Sequence, residues 1–410
     1  MQVDSILHQG VAAKAFPGAQ VLVWYRGEPL LHTTVGYHTY DSLRTVKTTD
    51  IYDLASITKA SSALLVLMQQ YEQGQLSLDT PLGQLFPLLK GTPKADIPLR
   101  AALAHQGRLR PWVPYWQTTL KGHARYPWRK KWDPRKTNDA RFRPRTLSTT
   151  QSAQYPIPLT DNLWMHRKFR EKKIFTTIRK TPLEAEARYK YSGLLFYLLP
   201  DYVERTTNQD YRSYLRKKFY DPLGATTLGY RPLDRGFTRK QIIPTERDTF
   251  FRKQLLHGIV HDEGAAMMNG ISANAGLFSK AEDLAKLWQM LLNGGTYQGR
   301  QYFKPETITA FTTVQFPAND NRRGLGFDKP LLEYDEQKSS VAKAASAASF
   351  GHSGYTGTFV WADPAYDLLF IFLSNRVYPS RLSRGIYQLN IRPRIMTAIY
   401  QEISRLQSGE

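Results

Sequence analysis

The chain has 410 residues, 41% of them apolar, which is enough to bury a core in one large domain or in two intertwined ones. It contains no cysteine, so disulfides, thiol catalysis and cysteine–zinc sites are excluded. Its formal net charge of +21 is compatible with anionic partners. No apolar run approaches the ~18 residues of a membrane span, and the start of the chain lacks the basic and apolar segments of a signal peptide.

The predicted elements begin with a β-hairpin, in which residues 19–25 and 30–35 form two strands. A second hairpin is predicted near the C-terminus, from strands at 358–363 and 368–375. Helices are predicted after Ser56 and over residues 76–89, 99–105, 191–205, 210–219, 280–292 and 385–406. Strands at both ends with helices between them predict one mixed sheet built from the two termini, with a helical subdomain inserted.

A serine stands one helical turn ahead of a lysine where the first long helical pattern begins, as Ser56-x-x-Lys59. Residues three positions apart are neighbours on one helix face, so the Lys59 amine can hydrogen-bond the Ser56 hydroxyl or take its proton. A serine hydroxyl needs an adjacent base to become a nucleophile, and a helix N-terminus favours developing negative charge. On spacing alone, a helix-capping serine beside a solvated lysine is an equally good explanation.

The surrounding sequence favours the nucleophile. Apolar side chains recur behind the pair at helical spacing, and a glycine follows as a C-terminal stop: Leu64, Leu67, Met68, Tyr71 and Gly74. The same four-residue pattern recurs as Ser340-x-x-Lys343, but it lies in a low-complexity run with no amphipathic helix behind it. Ser56 is therefore the candidate nucleophile, and Ser340 carries almost no weight.

Two later motifs contain candidates for the proton shuttle and the oxyanion hole that acyl transfer requires. Tyr191 stands at a loop-to-helix junction beside Lys190, where a nearby cation helps a phenol to act as a base. Residues 350–357 are rich in small side chains, which allow a strand edge to approach the nucleophile and to offer a backbone N–H. The alternatives are a tyrosine packed on a helix start and an ordinary glycine-rich turn.

Taken in order, three motifs resemble those of the serine β-lactamase and penicillin-binding-protein-like superfamily: Ser56-x-x-Lys59, Tyr191-Ser192-Gly193 and His352-Ser353-Gly354. They are most similar to its class C branch of esterases, D-amino-acid peptidases and amidases, which shows Ser-x-x-Lys, Tyr-x-Asn and Lys-Thr-Gly or His-x-Gly in this order. The similarity extends over nearly the whole chain outside about 110–180, and includes residues 16–18, 74–79, 103–107, 221–224 and 275–279.

The resemblance implies an α/β (α+β) protein with the two-lobed β-lactamase-like fold, and a single domain over residues 1–410. An antiparallel sheet from both chain ends, flanked by helices, would form an α/β lobe from residues 1–75 and 270–410. A helical lobe would be inserted at 76–269, with a basic, loop-rich insertion at about 110–180. The active site would lie between the two lobes.

The resemblance also implies roles for individual residues. Ser56 would be the acylated nucleophile, and Lys59 and Tyr191 would share the proton transfers. The backbone N–H groups of Ser56 and Tyr355 would form the oxyanion hole. The substrate-binding residues would be Gly193, His261, His352, Ser353 and Gly354. No metal or organic cofactor is expected.

Two residues depart from the family pattern. Gly193 stands where Tyr-x-Asn places an asparagine, so no side chain is available there to orient a substrate amide or to hold Lys59. His352 stands where penicillin-directed members often carry lysine, and a neutral imidazole binds a carboxylate less well than an ammonium does. The glycine at position 193 casts doubt on strong activity towards the usual amide substrates. The histidine at position 352 argues against a dedicated β-lactamase.

Residues 243–248 and 258–263 resemble a subgroup of N-acetylmuramoyl-L-alanine amidases, found fused to or encoded beside a family 3 β-N-acetylglucosaminidase. The predicted substrates are therefore amides or esters of peptidoglycan-derived fragments (muropeptides), and a glycoside hydrolase is a candidate partner. A carboxylesterase, or a weak β-lactamase or D-peptidase of the same fold, is the alternative. His261, Asp262 and Glu263 suggest a metal, but consecutive side chains rarely face one point, which favours a pocket or structural role.

The stretch from Arg108 to Lys190 is strongly basic, with 21 Lys/Arg against 6 Asp/Glu. It also contains five tryptophans: Trp112, Trp116, Trp128, Trp132 and Trp164. This mixture can hold an anionic polymer, although a solvated insertion is the favoured alternative, and no nucleic acid is expected because no nucleic-acid motif is present. The alternative to an enzyme is a catalytically impaired module that binds anionic polymers. The compartment stays unassigned: cytoplasmic, or periplasmic if the chain is excised from a longer precursor.

Overall fold

Antiparallel strands and short helices make up the fold, described for residues 2–121 and 141–408 of the computed structural model. The strands are, in chain order, β1 (Gly18–Tyr25), β2 (Glu28–Gly36), β3 (Tyr52–Asp53), β4 (Leu147–Ser148), β5 (Ile157–Thr160), β6 (Leu163–Met165), β7 (Gly229–Tyr230), β8 (Leu277–Ser279), β9 (Thr296–Tyr297), β10 (Arg300–Gln301), β11 (Phe350–Ser353), β12 (Phe359–Asp363) and β13 (Leu368–Ser374).

The α-helices are, in the same order, α1 (Val3–Ala12), α2 (Ile57–Ser61), α3 (Ala63–Glu72), α4 (Leu82–Leu85), α5 (Leu99–Leu103), α6 (Thr176–Lys180), α7 (Leu199–Thr207), α8 (Tyr211–Leu215), α9 (Glu263–Met267), α10 (Ala281–Leu292), α11 (Pro305–Thr312), α12 (Gly385–Gln388) and α13 (Ile391–Ser408). Within the described ranges, none of these helices is both long enough and apolar enough to cross a bilayer.

The largest sheet joins the two ends of the chain. Its strand order is β11-β12-β13-β1-β2, and β1 pairs with β13 from Ala19↔Ser374 to Tyr25↔Leu368. Both predicted hairpins are confirmed, as β1–β2 and β12–β13. Every neighbouring pair is antiparallel, as the family resemblance implies, so the sheet is not mixed. Hairpins connect consecutive strands, and β13 returns beside β1 in the opposite direction.

The two faces of this sheet bury separate apolar clusters. Alternate side chains of a strand point to opposite faces, so Val21 and Val23 join the cluster that contains α1 and α13, while Leu22 joins the other. Helix α10 packs on the face that contains Leu22, against β1, β12 and β13. The second cluster also contains α2 and α3, and α2 contacts the edge strand β11. The sheet edge and the helix behind Ser56 are thereby held together.

Three predicted helices are interrupted or start late. The helix after Ser56 breaks at Ser62 (φ −136°, ψ −109°), which separates α2 from α3. The predicted C-terminal helix breaks at Asn390, whose φ of +49° is a left-handed conformation that asparagine tolerates. The helix predicted from Tyr191 begins at Leu195 as a 3-10 turn, because the Ser192 hydroxyl accepts from the Leu194 N–H at 3.2 Å and stabilises a turn instead.

The basic insertion is more ordered than its proline-rich sequence predicts. It contains a small antiparallel sheet of order β4-β6-β5, followed by a π-helical turn (Arg170–Phe175) that leads into α6. Residues 122–140, with Trp128 and Trp132, lie outside the described residues. The division into two lobes at residues 75 and 270 stays a prediction.

Candidate active site

Ser56 lies where the chain leaves β3 and enters α2. Ala55, immediately before it, has φ +46°, a left-handed conformation that is uncommon for a residue with a Cβ. The buried Asp53 carboxylate holds this turn, because it accepts from the Ala55 N–H at 2.8 Å and from the His261 N–H at 2.7 Å. Backbone strain of this kind persists where surrounding contacts over-determine it, and it clusters at active sites.

Lys59 is buried beneath this turn and faces the serine. The residue is only 2% exposed, and its Nζ donates to Ser56 Oγ at 3.1 Å. The same amine donates to the backbone carbonyl of Asn274 at 2.8 Å. Two acceptors therefore fix the amine beside the hydroxyl, with little freedom to turn away. Ser56 makes no side-chain capping hydrogen bond to α2, so its hydroxyl is not used as a helix cap.

Tyr191 packs on the other side of the Lys59 amine. Lys59 Nζ lies 5.2 Å from the centroid of the Tyr191 ring. The centroids of the His105 and Tyr191 rings are 4.5 Å apart. The Tyr191 hydroxyl is buried and has no hydrogen-bond partner among the described residues. Lys190, the cation expected beside Tyr191, instead pairs with Glu184 at 2.5 Å. An unsatisfied buried hydroxyl is rare and is expected to pair with substrate or water.

Side-chain hydrogen bonds connect the turn after β11 to the segment that precedes Ser56. Thr356 Oγ1 donates to the Asp53 carbonyl at 2.8 Å, and Thr358 Oγ1 donates to the Leu54 carbonyl at 3.1 Å. A Cβ on Gly354 would lie 2.5 Å from the Leu54 carbonyl oxygen, so only glycine allows this approach.

Two backbone donors at this contact are unused. In the described part of the chain, no acceptor is paired with the N–H of Ser56 or with that of Tyr355. Both residues line the same cavity. Two unpaired N–H groups at one cavity are the kind of donors that an oxyanion hole requires.

His352 lies behind this site and not on its surface. It is 1% exposed, does not line the cavity, and packs against Tyr191 with ring centroids 6.1 Å apart. Burial, followed by the positive charges of Arg323 and Lys59, lowers the pKa of His352 to about 3. The imidazole is therefore neutral and supports Tyr191, which differs from the substrate contact predicted for it. Ser353 and Gly354 likewise do not line the cavity. Ser353 is the last residue of β11, and Gly354 belongs to the turn that contacts the segment before Ser56.

The neutral His352 predicts a pH-dependent stability. A histidine in the unfolded chain gains its proton near pH 6.5, whereas folded His352 stays neutral to about pH 3, so stability is lost as the pH falls between these values. We expect the free energy of unfolding of His352→Gln to fall less steeply between pH 6.5 and 5 than that of the wild type. The difference should approach about 1.4 kcal/mol per pH unit in urea titrations. The exposed His8→Gln is the control and should leave the slope unchanged; equal slopes in all three proteins would contradict the assignment.

The residues around Ser56 enclose a cavity of about 370 Å³. Six of the predicted site residues line it: Ser56, Lys59, Tyr191, Gly193, His261 and Tyr355. Asp262 and Glu263, for which a pocket or structural role was expected, also line it, and so do residues that the sequence analysis did not single out for the site, among them Trp112, Tyr197, Asn274 and Arg381. The cavity thus combines the candidate nucleophile with aromatic walls and charged groups.

One wall of the cavity is an ion-pair network around Arg381. The guanidinium donates to Glu246 and to Glu263, each at 2.6 Å, while His261 Nε2 lies 2.9 Å from Glu246 Oε2. The His261 ring stacks on Tyr355 at 5.7 Å. Burial opposes ionisation of Glu246, but the hydrogen bonds and charges of His261 and Arg381 prevail and lower its pKa.

His261, Asp262 and Glu263, the three consecutive residues that suggested a metal, each bind a different partner within the protein. His261 pairs with Glu246 and Glu263 with Arg381, while Asp262 caps α9 by accepting from the Ala265 N–H at 2.7 Å. Across residues 2–121 and 141–408, no cluster of three or more acidic or histidine side chains could hold a metal ion. The pocket or structural role favoured for these residues is the one their contacts support.

Asn274 occupies the space opposite Gly193. A Cβ built on Gly193 would come no closer than 3.8 Å to its nearest neighbour, the Asn274 Cβ. The Asn274 carbonyl holds Lys59, and its side-chain amide donates to Tyr197 Oη at 3.2 Å. An asparagine from a distant segment therefore lies beside the position where the family motif places one in sequence. Residues 275–279, which follow Asn274 in the chain, resemble the family. This resemblance was the one signal in the sequence that pointed to Asn274.

The fold and this site define a class of protein, which comparison with known proteins identifies. A family model described as Beta-lactamase matches residues 3–391. The chain belongs to the β-lactamase family, and the resemblance stated from the motifs is confirmed. A solved penicillin-binding protein homologue from Caulobacter crescentus superposes with a TM-score of 0.64 at 18% identity, over 97% of this chain and 96% of that one. This similarity confirms the β-lactamase-like fold.

Two curated relatives carry names linked to the cell wall. The N-acetylmuramyl-L-alanine amidase of Bacillus subtilis (strain 168) is 29% identical over 92% of this chain and 80% of its own length. A protein of Escherichia coli (strain K12), provisionally named a D-alanyl-D-alanine carboxypeptidase, is 36% identical over 48% of each chain. The match thus spans about half the length of that relative. The chain is thus a member of the β-lactamase family that is similar to proteins whose names refer to peptidoglycan.

Proposed function

We propose that this protein is a serine hydrolase that acts through an acyl-enzyme on Ser56, on amide or ester bonds of peptidoglycan-derived fragments. The observation that carries the proposal is the Lys59 amine, held between Ser56 Oγ (3.1 Å) and the Asn274 carbonyl (2.8 Å) at the wall of the cavity. A nucleophile beside a positioned base is the requirement for covalent catalysis by serine. An N-acetylmuramoyl-L-alanine amidase activity is the specific form that the name of the B. subtilis relative favours.

The proposed reaction has two halves with the same proton path. Ser56 Oγ forms a bond to the substrate carbonyl carbon while its proton passes to the Lys59 amine, which acts as the base. The tetrahedral oxyanion accepts hydrogen bonds from the N–H groups of Ser56 and Tyr355. Cleavage of the C–N or C–O bond sends the proton to the leaving group, and the unpaired Tyr191 hydroxyl is placed to relay it. Water then attacks the acyl carbon and gives its proton to the Lys59 amine; the C–Oγ bond breaks, the proton returns to Ser56 Oγ, and the acid is released.

The cavity wall is mostly apolar with one polar side, which suits a substrate that carries both polar and apolar faces. Asp262, Glu263 and Arg381, which are paired within the protein, make one side of the cavity polar, while Trp112 and Tyr355 present partly exposed rings, 41% and 49% exposed. Polar groups on this wall suit the amides and hydroxyls of a muropeptide, and the rings suit its sugar and peptide faces.

Assay of purified protein on muropeptides and on short-chain p-nitrophenyl esters tests this proposal. We expect release of peptide from muropeptides, with little turnover of the esters. Hydrolysis of the esters alone would identify a carboxylesterase, and hydrolysis of a chromogenic cephalosporin alone a weak β-lactamase. Failure to label with a fluorophosphonate or a penicillin probe would support the catalytically impaired module.

Tyr191→Phe removes the unpaired hydroxyl and leaves the ring packing of Tyr191 in place. We expect kcat to fall at least ~100-fold, the usual scale for a general acid–base group, with an unchanged melting temperature. Tyr189→Phe is the matched control, since its hydroxyl contacts Arg323 at 3.3 Å and does not line the cavity. A wild-type rate in Tyr191→Phe would exclude the assigned role.

Gly193→Asn restores the side chain of the family motif, and the structure has room for it, because the nearest atom to a new Cβ is 3.8 Å away. We expect a folded protein whose amide hydrolysis rises if the lack of an asparagine at this position is a defect. Unchanged or lower activity would show that Asn274 already fills this role. The comparison is made by kcat/KM on muropeptides, with Gly193→Ala as the control for steric effects alone.

A further inference from the structure

A second concave site lies in the basic insertion, away from Ser56. It is a cleft of about 490 Å³, which we call the basic cleft. Its lining comprises Thr118, Arg143, Pro144, Arg145, Thr146, His166, Lys168, Phe169, Lys172, Lys173 and Thr177. Five of these residues are lysine or arginine, one is histidine, and none of the lining residues in the described ranges is acidic.

Four cations of the basic cleft lack neutralising partners in the described chain. No carboxylate there lies within 4 Å of the charged groups of Arg145, Lys168, Lys172 or Lys173, and all four residues are exposed. The nearest acid in sequence, Glu171, is paired with Arg170 at 2.9 Å. Like charges gathered without counter-charges repel one another, and this arrangement favours a bound anion.

The histidine of the cleft, His166, is surrounded by positive charges. His166 is partly buried, and burial together with the charges of Arg167 and Arg145 lowers its pKa. Lys168 and Lys172 act in the same direction. Burial is the largest cause of this shift, and the contributions of the four surrounding cations have the sign that would attract an anionic ligand.

The basic cleft is close to the Ser56 cavity along one short segment. Residues 111–113 line the cavity, and Thr118 lines the cleft. Thr118 follows Val113 so closely in the chain that even a fully extended connection spans at most about 18 Å. Tyr115, within this segment, packs edge-to-face on Tyr197 of the cavity wall at 5.3 Å. A ligand in the cleft would therefore be held near the candidate active site.

We infer that the basic cleft binds a flexible, phosphate-bearing polyanion and anchors the enzyme to it. Arginine forks and lysine ammonium groups together recognise phosphate oxygens. A concave cleft admits a single flexible chain, whereas a nucleic-acid duplex is read by a helix or strand placed in its groove. Anchoring would raise the local concentration of fragments attached to the same polymer. Binding by the cleft does not depend on the chemistry proposed for Ser56, whereas this effect of anchoring rests on the proposed function.

Binding of fluorescein-labelled sodium polyphosphate, followed by anisotropy over a salt series, tests this inference. The variant Lys168→Gln/Lys172→Gln/Lys173→Gln should bind about tenfold more weakly or worse at low salt, and the slope of log K against log salt should shrink by about 2, because three charges are lost. The control Lys217→Gln/Lys218→Gln/Lys240→Gln loses the same charge from exposed lysines outside the cleft and should bind nearly as the wild type does. Hydrolysis of a small soluble substrate should be unchanged in both.

Equal weakening of both triple variants would show attraction to net charge alone and would overturn the inference, as would absence of binding by the wild type. Tighter binding of a single-stranded DNA oligonucleotide at equal phosphate concentration would assign the cleft to nucleic acid instead. Acetylation of lysines in the wild-type protein, read by mass spectrometry, provides a measurement that needs no variant. Polyphosphate should protect Lys168, Lys172 and Lys173 more than Lys217 and Lys218, and equal protection would contradict the inference.

Discussion

Ser56→Ala is expected to abolish acylation and turnover. The substitution removes the hydroxyl oxygen to which the buried Lys59 amine donates at 3.1 Å and leaves the backbone donors in place. Intact-protein mass spectrometry after incubation with a fluorophosphonate or a muropeptide should show an adduct on the wild type and none on the variant. The melting temperature should be preserved, because a small, half-buried hydroxyl is lost without opening a large void.

The second Ser-x-x-Lys sequence supplies the matched control for this experiment. Ser340 lies in a segment without helix, so the spacing to Lys343 does not place the two side chains on a helix face. Ser340→Ala should keep the adduct and the wild-type rate. Persistence of the adduct in Ser56→Ala, or its loss in Ser340→Ala, would exclude Ser56 as the nucleophile.

Lys59→Met is expected to lower kcat at least ~100-fold, because it removes the proton acceptor while filling most of the lysine volume. The acyl-enzyme should form slowly, and the rate should rise with pH as hydroxide replaces the missing base. Lys59→Arg keeps a positive charge but cannot release its proton, so it should be as impaired as Lys59→Met. Lys343→Met is the control and should keep wild-type activity.

A purely structural role for Lys59 would give a different pattern. In that case Lys59→Met would lower the melting temperature in proportion to the lost activity, since the Asn274 carbonyl would lose its donor at 2.8 Å. Activity in Lys59→Arg would then be partly restored. Retention of the wild-type pH profile in Lys59→Met would likewise contradict the role of proton acceptor.

Much of the fold could be predicted from local patterns. The two hairpins follow from short apolar runs on either side of turn residues, and Arg26 and Gly27 both adopt positive φ (54° and 77°), as a tight two-residue turn between antiparallel strands requires. Helix α10 follows from its periodicity and its stop at Asn293. The breaks at Ser62 and Asn390 were missed, because apolar periodicity continues across them while the backbone bends to suit packing.

The candidate site was only partly accessible to the same reasoning. Ser56 and Lys59 are three residues apart, so helix geometry alone brings them together. The partner of Lys59 at Asn274 is 215 residues away, and the Glu246 and Glu263 partners of Arg381 are more than a hundred residues from it. Local spacing contains no information on such contacts, and they were missed.

The sequence by itself determined the family, the spacing that brings Ser56 and Lys59 together and the strands that join the chain ends, because these depend on short apolar runs, on the helical period of 3.6 residues and on short motifs. Only the tertiary structure decided that His352 is buried behind Tyr191 and that Arg381 forms one cavity wall. It also decided that Asn274 lies beside the position of Gly193. The reason is physical: burial and long-range hydrogen bonds depend on which distant segments pack together, and that is settled by the whole core at once.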